Sequence, residues 1–349
     1  MSGRRYRVAL AGYYGFGNLG DELLAQASLE TLLRCGVERE RVVVLSADPK
    51  ATCRALRVES VSRWSFWDVL RTLVRSDTLL LGGGGLFQDV TSLRSCAWYW
   101  GLTRLARLCG ATPWVLGQSL GPLNTRLGRA LTQDALRGCR VVHVRDARSL
   151  KMCRDMKLPA YQGEDLVFSL AEAFTAEQQT EVSSSKEVLL VNLRPSPQME
   201  SFAEAACAVA GAFPGEVVGT ALSEEDEVLL QGLIREGWLK CTRLERLTTL
   251  EDAAWLFPGA KAAIGMRLHF LVLAALAEVP VAALPYDPKV EAFAEGFGLP
   301  PWRAGAEPSF GLARLPDLKR IRDELDAVCL RVFDSNFAQT KKRTTNKHE

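Results

Sequence analysis

Short apolar runs alternate along this chain with stretches whose apolar residues recur every three to four positions. The run at 7–11 reads as a buried strand; a glycine loop follows it, and a helical period covers 21–34. Val42-Val43-Val44-Leu45 reads as the next strand, ending at Ser46-Ala47-Asp48-Pro49. A helix is expected over 66–74 and a strand over 78–81, with a break where Gly82-Gly83-Gly84-Gly85 interrupts it. The first series closes with a helix around Trp98, Tyr99, Trp100 and Leu102, a strand at 114–116, a helix at 127–136 and a strand at 141–144. A second series runs through strands at 188–191, 217–218, 262–264 and 281–284. Apolar strands separated by amphipathic helices indicate an α/β fold of parallel βαβ units with helices on both faces.

A length of 349 residues favours two domains at about 150 residues each. The polar, Ser-rich stretch 175–185 is the linker candidate. The expected division is an N-terminal Rossmann-like domain (1–178), a C-terminal Rossmann-like domain (186–335) and a basic tail (336–349) that should be disordered. The two domains are expected to face one another across a cleft. Ligands in such sheets sit beyond the carboxyl ends of the strands, so the loops that follow strands hold the candidate chemistry.

Composition removes several classes. Hydrophobic residues at 48% and charged residues at 24% exclude a disordered or collagen-like chain. Lys and Arg total 43 against 41 Asp and Glu, a net charge of +2, and no nucleic-acid partner is expected at that balance. Nine Cys without a C-x-x-C read as reduced, mostly buried thiols of a cytoplasmic protein. His143, His269 and His348 lack ligand spacing, so no metal site is expected. No apolar run approaches the roughly 18 residues of a membrane span, and no signal peptide is visible.

Two loud motifs point away from their usual meanings. Gly15-Phe16-Gly17-Asn18-Leu19-Gly20 fits a dinucleotide fingerprint, with Asp48 where a ribose-binding acid would stand. Asp21 and Glu22, however, occupy the first helical turn, where a pyrophosphate would need free N–H groups. Such acids stabilise a helix start, or accept a hydrogen bond or proton from a sugar hydroxyl. Gly117-Gln118-Ser119-Leu120-Gly121 fits a nucleophile elbow, with Asp165 and His269 completing a triad on paper; Pro122 delays the helix that an elbow requires. The run Gly82 to Gly85 offers backbone N–H groups for an anion or a close ligand, or simply a tight turn.

The basic residues form a quieter pattern. Arg145, Arg194, Arg267 with His269, and Lys289 each follow a different strand end. Arg presents a planar fork that matches carboxylate and phosphate oxygens in pairs. A small, highly anionic ligand held between the domains is the expectation; for Arg145 a local pair with Asp146 is the alternative. His269, at a helix start, should have its charged form disfavoured by the dipole and so be poised for proton transfer.

These residues resemble the polysaccharide pyruvyl transferase family. The likeness lies in 14–22 (YGFGNLGDE), 81–89 (LGGGGLFQD), 117–122 (GQSLGP), Val144-Arg145-Asp146, 191–195 (VNLRP), 266–269 (MRLH) and 286–290 (YDPKV), in the family's order over roughly 7–295. It is greatest to enzymes that pyruvylate the cell-wall polymer used in S-layer anchoring. The resemblance implies a GT-B-like fold, phosphoenolpyruvate as donor co-substrate, no further cofactor, and a product bearing a pyruvate ketal. It implies an acceptor side in the first domain and a donor side in the second. It further implies catalytic roles for His269, Asp21 and Arg145, and substrate contacts from Arg267, Lys289, Arg194, Gly83, Gly84 and Asn18. A lipid-linked amino-sugar acceptor is implied too, placing the enzyme in the cytoplasm at the inner membrane face, with peripheral contact through Trp64, Trp67 or the tail. A nucleotide-sugar glycosyltransferase and a non-catalytic sugar-phosphate-binding protein are the competing readings. The sequence leaves the oligomeric state open.

Overall fold

The structure is a computed structural model that describes residues 5–90, 92–174, 187–197 and 199–333. The expected linker at 175–185 and the basic tail at 336–349 lie outside the described residues. The described residues fall into two compact units, one within 5–16, 24–166 and 319–333, the other within 17–23 and 167–318.

The first unit is built on an eight-stranded parallel sheet: β1 (Tyr6–Ala11), β2 (Val42–Ser46), β3 (Glu59–Ser62), β4 (Ser76–Leu81), β5 (Gly84–Phe87), β6 (Thr112–Leu120), β7 (Val142–Val144) and β8 (Tyr161–Gln162). Their order is β3-β2-β1-β4-β6-β7-β8, with β5 also paired to β6. Every residue of β2 is buried, as a strand covered on both faces by helices requires. Connecting helices include α1 (Leu19–Arg34), α2 (Pro49–Leu56), α3 (Phe66–Val74), α4 (Arg94–Leu108), α5 (Arg126–Arg137) and α6 (Ala147–Asp155). Several start at side-chain caps that satisfy orphan N–H groups: Asp48 for α2, Ser65 for α3, Thr125 for α5 and Asp146 for α6.

The second unit carries a five-stranded parallel sheet: β9 (Val188–Asn192), β10 (Glu216–Ala221), β11 (Arg243–Arg246), β12 (Ala262–Gly265) and β13 (Val281–Ala283). Its order, β11-β10-β9-β12-β13, reverses direction between β9 and β12, the position where doubly wound sheets open a crevice. The helices are α7 (Met199–Ala212), α8 (Glu224–Arg235), α9 (Leu250–Leu256), α10 (Leu268–Leu276) and α11 (Pro288–Gly296). Both sheets are Rossmann-like, in agreement with the expected α/β fold.

The final helix, α12 (Leu318–Phe333), belongs with the first unit, although the sequence division assigned 186–335 to the second. Arg34 pairs with Asp326 at 2.9 Å, and Phe333 meets the Trp114 ring edge-on at 6.1 Å. Nothing local to α12 encodes this placement; it follows from partners some 200 to 300 residues earlier in the chain. The glycine run also differs from expectation. It does not simply break a strand, because β5 starts at Gly84 and pairs with β6. Among the described residues no helix is long and apolar enough to cross a membrane. All nine cysteines are thiols, and only Cys53 is exposed.

Candidate active site

In the second unit the residues of interest collect at the carboxyl ends of the parallel strands. Arg194 follows β9, Ser223 and Asp226 follow β10, Arg246 ends β11, Arg267 and His269 follow β12, and Tyr286 to Lys289 follow β13. The first turn of α1, with Asn18 and Asp21, belongs to this unit as well.

Arg267 anchors the group. Its Nε and Nη2 donate to Asp226 at 2.5 and 2.6 Å, and Nη2 also donates to the Ser223 hydroxyl at 2.7 Å. Its backbone N–H donates to Oδ1 of the buried Asn192, whose amide in turn donates to the Thr220 carbonyl. Burial opposes the guanidinium charge, but hydrogen bonding and attraction from Asp226 outweigh it and hold the pKa above its ordinary value. Tyr286 and Asp21 act on the same guanidinium in the same direction. Arg267 is therefore a fixed, permanently charged centre rather than a mobile arm.

Arg194 and Lys289 meet at one aromatic ring. Arg194 Nη1 donates to the Tyr286 hydroxyl at 2.6 Å and its guanidinium lies 4.7 Å from the ring centroid; Lys289 Nζ lies 6.0 Å from the same centroid. Lys289 also approaches Asp287 at 3.6 Å, and Asp287 caps α11. Two cations of this sheet edge thus share Tyr286.

His269 is the one residue of α10 that is not buried; the other eight are apolar and enclosed. A polar, half-buried residue in an otherwise wholly buried helix needs a reason beyond packing. Its imidazole lies against Gly20, where a Cβ would overlap Nδ1. The third glycine of G-x-G-x-x-G therefore makes room for a histidine. The start of α1 is occupied: Leu19 N–H donates to the Leu222 carbonyl at 2.8 Å, and Asn18 donates to Asp21 at 2.6 Å. Asp48 caps α2, which accounts for its place after β2. These contacts remove the features that favoured a dinucleotide.

The first unit holds the remaining candidates. Arg145 is buried and donates to Asp165 at 2.5 Å, so its partner is Asp165 and not the adjacent Asp146. Asp146 instead caps α6 and accepts from Ser149 and from the Ser119 hydroxyl at 2.8 Å. Ser119 lies inside β6, which continues to Leu120, and the next helix starts only at Arg126, so there is no strand-to-helix elbow. Gly117 in that strand has φ +68° and gives its N–H to Nδ1 of buried His143 at 3.0 Å. That imidazole is neutral, its pKa pushed down to about 4 by burial. Gly82 and Gly83 are buried: a Cβ on Gly82 would overlap the Tyr14 hydroxyl, and one on Gly83 would come within 2.7 Å of Leu24. Close packing against these side chains favours glycine at both. Gly84 is also buried, with φ +107°; Gly85 is the exposed member of the run.

Sequence reasoning did not assign Asn192, Ser223, Asp226, Arg246 or Tyr286. Asp226 lies among four consecutive acids at the start of α8, which read as helix-dipole stabilisation. Arg246 reaches Glu227 at 3.2 Å and stands 3.4 Å from where a Cβ on Gly17 would be. Among the described residues no group of three His, Cys, Asp or Glu is placed to hold a metal ion.

Solved structures with the same architecture share little sequence with this chain. Anabaena Alr3699/HepE, solved in complex with UDP-glucose, has a TM-score of 0.54 at 15% identity over 98% of this chain and 100% of its own. The UDP-GlcNAc 2-epimerase of Methanocaldococcus jannaschii has a TM-score of 0.56 at 8% identity over 91% and 98%. That of Neisseria meningitidis, bound to UDP-GlcNAc, has a TM-score of 0.53 at 10% identity over 82% and 86%. Comparison with curated protein sequences gave no match. The class defined by fold is thus α/β with Rossmann-like parallel sheets, shared with GT-B glycosyltransferases and sugar-nucleotide epimerases. Residues 18–288 match the family described as polysaccharide pyruvyl transferase, and the chain belongs to that family.

Proposed function

We propose that this transferase moves the pyruvyl group of phosphoenolpyruvate to a sugar of a cell-surface polysaccharide precursor, forming a pyruvate ketal and releasing phosphate. The observation that carries this reading is the grouping of Arg194 and Lys289 on Tyr286 beside the fixed charge of Arg267, in the unit that also holds His269. A carboxylate and a phosphate on a three-carbon frame suit such a set of fixed cations.

C3 of the enol takes a proton, which leaves C2 electron-poor. A sugar hydroxyl forms a C–O bond to C2 and loses its proton. A second hydroxyl then displaces phosphate from C2, loses its proton and closes the ring. Positioned guanidinium groups stabilise the carboxylate and the departing phosphate without reorganising. His269 is assigned to proton transfer at the phosphate or the attacking hydroxyl, and Asp21, held by Asn18, to accepting a hydrogen bond or proton from the acceptor. Arg145 is assigned to donor use. The cations neutralise the donor, so turnover should survive chelation. The acceptor is taken as a lipid-linked amino sugar at the inner face of the cytoplasmic membrane, in a route to S-layer anchoring polymer.

The second reading, transfer from a nucleotide sugar, is favoured only by the fold shared with Alr3699/HepE. Supplying phosphoenolpyruvate or UDP-glucose separately with N-acetylmannosaminide acceptors, and measuring phosphate and UDP, distinguishes the two. Acceptor-dependent phosphate release from phosphoenolpyruvate is expected. UDP release without it would replace the proposal with the second reading.

A further inference from the structure

The loop after β1 and the segment between β3 and α3 contribute Tyr13, Phe16 and Trp64, which gather with Trp98 of α4, and the Arg63 guanidinium lies among Phe16, Trp64, Trp98 and Tyr99. Tyr13 and Phe16 stack at 3.9 Å and 8°. Phe16 meets Trp64 edge-on at 6.1 Å, and Trp64 leans on Trp98 at 6.4 Å. The Arg63 guanidinium lies 5.3 Å from the centroids of Phe16, Trp64 and Trp98 alike, and Nη1 donates to the Gly12 carbonyl at 2.8 Å. Arg63 is only 6% exposed, whereas Tyr13, Phe16 and Trp64 are 46, 37 and 65% exposed.

Packing does not account for this arrangement. Core aromatics are enclosed, while Tyr13, Phe16 and Trp64 are exposed; ordinary surface aromatics are single, while these are locked to one another and to a buried cation. Locking removes the rotamer entropy that a ligand would otherwise have to overcome. Both contributing segments lie at the carboxyl ends of parallel strands, the edge where such sheets take ligands.

We propose that Tyr13, Phe16 and Trp64, backed by Trp98 and Arg63, form a platform on which a pyranose ring of the acceptor stacks. A pyranose has an apolar C–H face and a rim of hydroxyls. The exposed ring surface matches the first, and the Tyr13 hydroxyl and Trp64 indole N–H are polar handles for the second. The cation behind the rings polarises them and stiffens the ledge. This inference rests on the proposed transfer only for the ligand being a sugar; its residues come from the geometry of this unit alone.

The test uses the full chain with methyl glycosides of N-acetylmannosamine, N-acetylglucosamine, mannose and galactose as probes. Saturation-transfer NMR reports which ring protons touch the protein. Phe16→Ala and Trp64→Ala change exposed residues, and Trp238→Ala, exposed in the other unit, is the control. Saturable transfer to C–H protons of at least one glycoside is expected, with affinity falling about fivefold or more in both platform variants and unchanged in the control. In turnover assays the same variants should raise the acceptor KM and leave the phosphoenolpyruvate KM unchanged. If phosphoenolpyruvate turns over and the acceptor KM is unmoved in both variants, the platform is wrong and the proposed function stands. If no donor is turned over but glycoside binding is lost in both variants, the platform stands and the proposed function fails. Binding of none of the glycosides, or vesicle binding (phosphatidylglycerol with phosphatidylcholine) lost in both variants while sugar binding persists, overturns the platform.

Discussion

Gly20 and His269 fit together: the imidazole Nδ1 occupies the space a side chain at position 20 would need. One residue opens α1 and the other opens α10, so a glycine that resembles part of a nucleotide fingerprint instead positions a proton-transfer candidate.

Gly20→Ala should therefore displace the imidazole. Turnover, read as phosphate release from phosphoenolpyruvate, is expected to fall by about 10²-fold with little change in melting temperature. His269→Ala should cost about 10²–10⁴-fold. Near-normal turnover in both variants would return His269 to a packing role.

Asp226→Asn leaves Arg267 charged and buried without its carboxylate. Loss of one partner of a buried pair costs about 3–5 kcal/mol. Urea unfolding should show a loss of that size, and a change below about 1 kcal/mol would mean that Arg267 finds a substitute partner.

Tyr286→Phe removes the hydroxyl that accepts from Arg194 while keeping the ring beneath both cations. The expected result is a KM for phosphoenolpyruvate raised about fivefold, as the loss of one hydrogen bond predicts, with the acceptor KM unchanged. An equal rise for both substrates would argue against a donor-side role.

Arg145→Lys loses the planar guanidinium, whose Nη1 donates to Asp165. Weaker donor use is expected. Unaltered kcat and KM for phosphoenolpyruvate would remove Arg145 from the site.

Acid should destabilise the first unit through His143. Its folded pKa of about 4 lies below the ordinary 6.5, so the unfolded chain binds the extra proton between these values. Stability is complete above pH 6.5 and declines as pH falls towards 4, by on the order of 3 kcal/mol. His143→Gln should flatten that slope in urea titrations at stepped pH; an unchanged slope would assign the acid loss to other groups.

Much of the fold is legible because a strand covered on both faces must be apolar throughout. The runs at 42–45 and 188–191 announce themselves for that reason, and the helix expected over 66–74 spans those residues. The strands β3 and β11 do not, because neither contains a buried residue. Strand β5 hides in a glycine run whose pairing with β6 depends on a neighbour more than thirty residues away. In the site, Arg194, Arg267, His269 and Lys289 stand out by their place after strands. Asp226 does not, since an acid at a helix start has a local explanation and its partner lies 41 residues further on.

The parallel α/β character and the family were readable from local runs of residues, because strand burial and motif order are written there. The folded chain was needed to show that Arg267 answers to Asp226, that Arg145 answers to Asp165, that Gly20 yields space to His269 and that α12 joins the first unit. Those pairings depend on distances between atoms far apart in the chain, and no local pattern of side chains specifies them.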